Sequence, residues 1–369
     1  MEIVDYLRHN ELIIRMIEHD CFRKSWIDGK RQELRVMDPG LLEKCIHALQ
    51  LLGRLSEEGG FEFVFKGGTS LILLLANLRR LSIDIDIVST AVPAEYEPVL
   101  EGIGRTPPFI RSEEDDRGAD RLPKRRHFKF FYNSVYSQRE DYVLLDILEE
   151  ENHFPETQVL PIRTSFIEVE RDVEVRVPTI DCLTGDKLTA FAPNTVGVPL
   201  NPGFSMQVAK QVFDIGELFN AVENLEMVKK THAAIFAAEN GYRGSQFSLE
   251  QALDDTINTA ALICQIKLRG GIADDRAKLI LNGITRIESH LVGDPYRIDD
   301  ARVSAAKAAY LAAILKQDTI SQALEDIRFD QDHVEELRDV KIEKWPVLNR
   351  LKAISIEAFY YWKALETLR

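Results

Sequence analysis

The feature that most constrains the fold is a glycine pair set between two apolar segments of different periodicity. The segment before Gly67 and Gly68 alternates like a strand, and residues 69–80 have helical periodicity. Because glycine has no Cβ, the turn lets the backbone approach a bulky anion. The helix start offers unpaired N–H groups, and Thr69 and Ser70 add hydroxyl donors. The block predicts a strand, turn and helix that bind a phosphate group.

Acidic residues follow on the next predicted strand, residues 83–88. Asp84 and Asp86 are two positions apart, so both carboxylates project from one strand face. Adjacent carboxylates repel unless a cation lies between them, and Mg²⁺ prefers carboxylate, water and phosphate oxygens. Asp146 is a single acid in the apolar strand 143–148, where an acid is costly unless it is paired or metal-bound. We expect Asp84, Asp86 and Asp146 to bind Mg²⁺.

A phosphate-binding turn that leads into a pair of carboxylates is the chemistry of phosphoryl or nucleotidyl transfer. Alone, a glycine pair is common in turns, and two alternating aspartates are common on a solvated strand face. Their order along the chain favours a metal–nucleotide site. The sequence has no G-x-x-x-x-G-K-[ST], H-E-x-x-H or G-x-S-x-G motif. A P-loop NTPase, a zinc hydrolase of that type and a serine hydrolase are therefore not indicated.

These motifs resemble those of the DNA polymerase β-type nucleotidyltransferase superfamily and, more narrowly, the AbiEii/AbiGii toxin family. The resemblance rests on Gly-Gly-Thr-Ser-Leu at residues 67–71 and Arg-x-Ser-x-Asp-x-Asp at residues 80–86. A block around Lys187 resembles the family's helix with a functional lysine. A second, from Lys210 to Leu218, resembles its helix with two aspartates, although it has lysine where arginine is frequent and Glu217 in place of the second aspartate.

The resemblance implies an enzyme that moves a nucleoside monophosphate from an NTP to a hydroxyl and uses two Mg²⁺ ions. Arg80 and Ser82 would brace the loop or bind phosphate, and Lys187 would offset charge on the pyrophosphate leaving group. Asp214 would orient Lys187 or a metal-bound water, or else form an ion pair with Lys210 within its own helix. The phosphate-binding residues are then expected to be Gly67, Gly68, Thr69, Ser70, Arg80, Ser82 and Lys187.

The resemblance also implies an acceptor and a partner. Toxins of this type act on tRNA acceptor ends, so the expected acceptor is the tRNA 3′ end and the expected partner a cognate antitoxin, which could be a DNA-binding regulator. The residues alone leave two alternatives open. One is a nucleotidyltransferase that modifies a protein or a small molecule, and the other is a catalytically silent scaffold that binds nucleotide.

The pattern of predicted elements indicates an α+β fold. We expect a mixed sheet backed by helices, as in polymerase β-like nucleotidyltransferases, with a short helical arm before it and a long helical domain after it. The predicted domains are a helical N-terminal arm at 1–58, a nucleotidyltransferase domain at 59–225 and a helical C-terminal domain at 226–369.

The charge of the chain limits how it can bind nucleic acid. A formal net charge of -14 argues against a general nucleic-acid coat, but a local basic patch is compatible with it. The strongest basic segment precedes a strand rich in aromatic residues. RNA contact and a solvated basic strand face are both consistent with it. Its candidate RNA contacts are Arg121, Lys124, Arg125, Arg126 and Lys129.

Targeting and redox signals are few. Four cysteines are scattered without a C-x-x-C pair, which excludes a disulfide scaffold or a cysteine zinc site and fits a reducing compartment. The N-terminal residues lack a secretory signal pattern, and the longest apolar run is too short to cross a bilayer. We expect a cytoplasmic protein without a membrane partner.

Overall fold

A computed structural model of the chain describes residues 16–115 and 123–368, except for the side chains of residues 332 and 333. Its contacts divide the chain into two compact units, which are described separately here. The first unit comprises Met1–Asn152, Thr157–Pro178 and Ser289–Asp294. The second unit comprises His153–Glu156, Thr179–Glu288 and Pro295–Arg369. The predicted domain boundaries at 58/59 and 225/226 differ from this division and stay a prediction about folding domains.

The first unit contains a five-stranded mixed sheet and a two-stranded sheet. The larger sheet has the order β1-β2-β5-β4-β3, in which β2 and β5 are parallel and the other neighbours antiparallel. Strands β6 and β7 form an antiparallel pair. The strands are β1 Val64–Lys66, β2 Ile85–Ser89, β3 Phe109–Glu114, β4 Arg125–Asn133, β5 Glu140–Glu149, β6 Thr157–Pro161 and β7 Glu174–Pro178.

The two faces of the larger sheet have different chemistry because side chains alternate along each strand. On one face Phe128 and Phe130 of β4 and Leu145 of β5 are buried in the core. On the opposite face His127 and Asp146 are only partly buried. His127 and Asp146 therefore lie on the polar face of the larger sheet, opposite the buried aromatic residues.

Helices of the first unit pack on the apolar side of its sheets. The longest begins after Asp38, whose carboxylate accepts a hydrogen bond from the Gly40 N–H at 2.8 Å. It buries His47, which stacks on Tyr132 of β4 with ring centroids 3.6 Å apart. The helices are α1 Lys24–Leu34, α2 Pro39–Glu58, α3 Gly67–Leu74 and α4 Pro93–Gly104.

The second unit is helical, and its described residues contain no strand. Small residues let its helices approach closely. A Cβ at Gly185 would lie 2.8 Å from the Val228 carbonyl oxygen, and one at Gly216 would overlap Ser304. Its helices are α5 Ile180–Ala190, α6 Ser205–Phe219, α7 Leu225–Tyr242, α8 Leu249–Gln265, α9 Asp275–Ile287, α10 Ile298–Leu315 and α11 Ile356–Thr367. A 3₁₀ helix, Pro346–Ala353, precedes α11.

The predicted α+β class, with a mixed sheet and many helices, is confirmed. The helix expected over residues 69–80 is shorter than predicted, since it ends at Leu74. An isolated bridge joins Val169 to Ile17. No helix among the described residues is long and apolar enough to cross a membrane.

Candidate active site

The glycine turn lies directly against one of the predicted carboxylates. Gly67 has φ +80°, a backbone conformation that L side chains rarely adopt. A Cβ at Gly67 would overlap the Asp86 carboxylate, and one at Gly68 would lie 2.6 Å from Arg80 Nη2 and 3.1 Å from Ser82 Oγ. The glycine pair therefore permits close approach of the turn to the polar side chains that follow α3.

The hydroxyl groups predicted to bind phosphate make backbone hydrogen bonds in this structure. Thr69 Oγ1 donates to the Asp84 carbonyl at 2.5 Å, and Ser70 Oγ donates to the Gly67 carbonyl at 2.8 Å. Both side chains are fully buried. The Thr69 bond joins the turn to the residue before β2, and the Ser70 bond lies within the turn itself.

The segment between α3 and β2 is anchored by its backbone. The Leu81 N–H donates to the His290 carbonyl at 2.7 Å, and Arg80 forms an isolated bridge with Leu291. The Arg80 side chain is buried, and its Nη1 donates to the Leu81 carbonyl at 3.2 Å. Residues far apart in sequence thus fix the loop from which Ser82 and Asp84 project.

Strand register brings two predicted metal ligands side by side. Asp86 of β2 is the parallel partner of Asp146 of β5, and Asp146 is the antiparallel partner of His127 of β4. Lys66 of β1 is the partner of Asp86 on the other side. Because register partners share a face, Lys66, Asp86, Asp146 and His127 form one row across four strands. Asp84 precedes β2 by one residue and alternates onto the same face.

His127 is the site residue that sequence reasoning missed. Its Nδ1 lies 2.6 Å from Asp146 Oδ1, and the exposed fractions of the two side chains are 18% and 29%. Alternation along β4 places His127 opposite the buried phenylalanines, but nothing in the sequence indicates that β4 pairs with β5 in this register. The histidine now fixes one oxygen of Asp146.

The carboxylates of Asp84, Asp86 and Asp146 have the right chemistry for Mg²⁺ ligands, but in this structure the three do not converge on a single metal position. Over residues 16–115 and 123–368, no group of three or more His, Cys, Asp and Glu side chains is close enough to hold a metal ion. Asp86 and Asp146 nevertheless lie on adjacent parallel strands, which are about 4.8 Å apart. The structure thus places two acids next to each other with Asp84 on the same face.

In the second unit, Lys187 and Asp214 form a buried ion pair. Lys187 Nζ of α5 lies 3.1 Å from Asp214 Oδ2 of α6, and the side chains are 7% and 0% exposed. Lys210, Asp214 and Glu217 all lie on α6, as the sequence block suggested. The contact fits the expectation that Asp214 orients Lys187.

The predicted RNA-contacting segment is largely neutralised by carboxylates. Lys124 pairs with Glu149 at 2.5 Å, and Lys129 pairs with Asp115 at 3.0 Å. Arg126 binds the carboxylate of Glu114 at 2.7 Å and that of Glu97 at 2.5 Å. The hydrogen bond from Arg126 holds the pKa of Glu114 below its usual value. Arg125 is exposed, and Arg121 lies outside the described residues.

The fold and the arrangement of the glycine turn and carboxylates are those expected of a nucleotidyltransferase. The chain belongs to the family described as "Nucleotidyl transferase AbiEii toxin, Type IV TA system", whose sequence model matches residues 50–335. This confirms the predicted family and the prediction that the protein is a nucleotidyltransferase enzyme. Membership implies an NTP substrate and an antitoxin partner.

Solved structures include two distant likenesses from Helicobacter pylori. JHP933 is 14% identical, with a TM-score of 0.40, over 74% of this chain and 89% of that chain. A second protein, described as a nucleotidyltransferase, is 14% identical, with a TM-score of 0.27, over 56% of this chain and 96% of that chain. A sequence search of curated proteins gives no significant match.

Proposed function

We propose that this toxin transfers a nucleoside monophosphate from an NTP to a hydroxyl of the tRNA 3′ end in a Mg²⁺-dependent reaction in the cytoplasm. The single observation that supports metal-dependent chemistry is that Asp86 and Asp146 are register partners on adjacent strands. The glycine turn lies directly against the Asp86 carboxylate. The choice of tRNA as acceptor, and of a cognate antitoxin that could be a DNA-binding regulator, rests on the resemblance to this toxin family.

Asp84, Asp86 and Asp146 are proposed to hold two Mg²⁺ ions together with phosphate oxygens of the NTP. Bound Mg²⁺ would neutralise phosphate charge and lower the pKa of the attacking hydroxyl. His127 holds one oxygen of Asp146 and so limits how that carboxylate can rotate. The Gly67–Gly68 turn brings backbone N–H groups to this edge of the sheet, where they would orient the triphosphate.

In the transfer step, a bond forms between the acceptor oxygen and the α-phosphorus of the NTP. The bond from the α-phosphorus to the oxygen that bridges to the β-phosphorus breaks, and pyrophosphate leaves with that electron pair. Asp146 is proposed to accept the hydroxyl proton. Lys187 is proposed to offset the charge that develops on pyrophosphate, with Asp214 keeping its ammonium in place.

A transfer assay with labelled NTPs tests the proposal. The full-length protein is incubated with Mg²⁺, each α-labelled NTP and total RNA or cell extract. Label in tRNA that is lost with Asp86→Asn but retained with Glu113→Gln supports the proposal. Glu113 is a matched control because it is an acid on the same sheet. Its carboxylate forms an ion pair with Arg111, whereas Asp86 is the register partner of another acid.

The same assay separates the alternatives. Label in a protein or a small molecule, again dependent on Asp86, would replace tRNA as the acceptor and keep the enzyme. If nothing is labelled and Asp84→Ala matches the wild type in a cellular toxicity assay, the proposed transfer reaction is wrong.

A further inference from the structure

A second basic region lies near the end of the second unit, beyond the part of the chain that the family model matches. Residues 338–352 contain five lysines and arginines and two acids, a net charge of +3 in a chain whose formal charge is -14. The family match ends at residue 335. This region is therefore a property of this chain that the family resemblance does not explain.

Hydrogen bonds fold the segment back on itself. Asn349 accepts from the Ile342 N–H at 2.8 Å, and its amide donates to the Ile342 carbonyl at 2.7 Å. Lys352 Nζ donates to the carbonyls of Arg338 and Val340, the first at 2.9 Å. Residues 338–342 are thereby held against residues 349–352, so cations separated in sequence share one surface.

The exposed cations of this surface differ from Lys124, Arg126 and Lys129, each of which forms an ion pair with a carboxylate. Lys341, Lys344 and Arg350 are exposed, and among the described residues their side-chain cations form no ion pair with a carboxylate. We call these three residues the C-terminal basic cluster. The nearby Glu366 carboxylate accepts from the backbone N–H of Lys344 at 2.7 Å. Close cations repel one another, and a polyanion that binds them removes that repulsion.

An aromatic ring lies within the same surface. Lys344 Nζ is 4.6 Å from the ring centroid of Trp345. Trp345 is half-buried and packs edge-on against Trp362, with centroids 4.9 Å apart. A fixed, partly exposed indole next to unneutralised cations suits a nucleic acid, since phosphates bind the cations and a base can stack on the ring.

We propose that the C-terminal basic cluster, with Trp345, binds the sugar-phosphate backbone of RNA. The assignment to RNA rests on the proposed function, in which an RNA is the acceptor. The C-terminal basic cluster, and not the segment around β4, would then be the principal RNA contact. The surface is small, so the affinity is modest and strongly dependent on salt.

Binding measured without NTP tests this inference separately from transfer. Labelled tRNA is titrated with full-length protein at several KCl concentrations and followed by fluorescence anisotropy. The triple variant Lys341→Gln, Lys344→Gln and Arg350→Gln is expected to bind at least ~10-fold more weakly. The slope of log K against log salt should fall by about two to three, close to one per lost contact.

A matched control removes two lysines and one arginine from the same unit, where each has a carboxylate partner. The control variant is Arg276→Gln, Lys278→Gln and Lys316→Gln. It should bind tRNA within about twofold of the wild type. Circular dichroism and thermal unfolding of both triple variants show whether either has lost its fold.

Three outcomes overturn the inference. The first is an equal loss of binding in both triple variants, because only total charge would then matter. The second is unchanged binding in the cluster variant. The third is a cluster that binds an acidic peptide but not RNA, which would make it a protein-docking surface. Cluster-dependent binding without transfer would support the inference while it contradicts the proposed reaction.

Discussion

The carboxylate row of the first unit and the ion pair of the second unit use the same kinds of charged residue in opposite environments. Asp86 and Asp146 are partly exposed and lie in register on a sheet face. Lys187 and Asp214 are buried between two helices. The comparison teaches that burial, more than residue type, decides whether removing a charge affects chemistry or folding.

The physical reason is the cost of removing a charge from water. A partly exposed carboxylate keeps much of its hydration, so its neutral amide costs the fold little. A buried ion whose partner is removed stays desolvated without compensation. Removing one charge should therefore reduce activity in the first region and stability in the second. Four measurements test this expectation.

The largest effect is expected for Asp86→Asn in the carboxylate row. Loss of a metal ligand should reduce nucleotidyl transfer by about 10³-fold or more, since several kcal/mol of transition-state stabilisation are removed. The melting temperature should change little, because the Asp86 side chain is partly exposed to water. Transfer kinetics and thermal unfolding check both parts. A fall in stability as large as that in activity would contradict the comparison.

The ion pair should behave in the opposite way. Lys187→Met removes the ammonium group 3.1 Å from the buried Asp214 carboxylate and should lower the free energy of unfolding by about 3–5 kcal/mol. Adding Asp214→Asn should recover much of this stability without restoring activity. Urea unfolding of the single and double variants measures the difference. If the double variant loses as much stability as Lys187→Met alone, the ion pair does not account for the loss.

His127 should contribute by holding Asp146. His127→Ala should weaken Mn²⁺ binding and transfer by about 10–100-fold, whereas His127→Asn, whose amide can occupy the Nδ1 position, should retain most of both. His127→Gln, whose amide reaches the Nε2 position, serves as the control and should resemble Ala. Mn²⁺ titration followed by EPR gives the affinities. Equal affinities in all three variants would exclude this role.

The fourth effect concerns a buried histidine in each unit and is small near neutral pH. Burial lowers the pKa of both His47 and His232 to about 4, against about 6.5 in an unfolded chain. Between these values the unfolded state binds more protons, so stability should fall as pH drops from about 6.5 to 4. The slope reaches about 1.4 kcal/mol per pH unit for each histidine.

Urea unfolding at pH 7, 6 and 5 measures this dependence. His47→Phe and His232→Phe should each reduce it by one histidine's share, which separates the histidines from Glu43 and Asp181. Burial raises the pKa of those two carboxyls, so their effect on stability runs in the opposite direction. An unchanged slope in both variants would mean that neither histidine is responsible.

Where the spacing of apolar residues is strongly periodic, the sequence predicts the helices and strands well. The strands containing Asp86 and Asp146 and the helix containing Lys187 were expected close to where they lie. The helix after the glycine turn is shorter than its periodicity predicts, since Arg79 and Leu81 bond through their backbones to Val292 and His290. Such long-range bonds leave no local signal.

The sequence by itself determined the motif chemistry, the α+β class and the family, because glycine, aspartate spacing and alternation act over a few residues. Only the tertiary structure decided which acids are neighbours, that His127 holds Asp146, and that Arg126 and Lys129 of β4 pair with carboxylates. Strand register and ion pairs join residues that are distant in the chain. Their energies depend on interatomic distance and burial, which cannot be read from the amino-acid sequence alone.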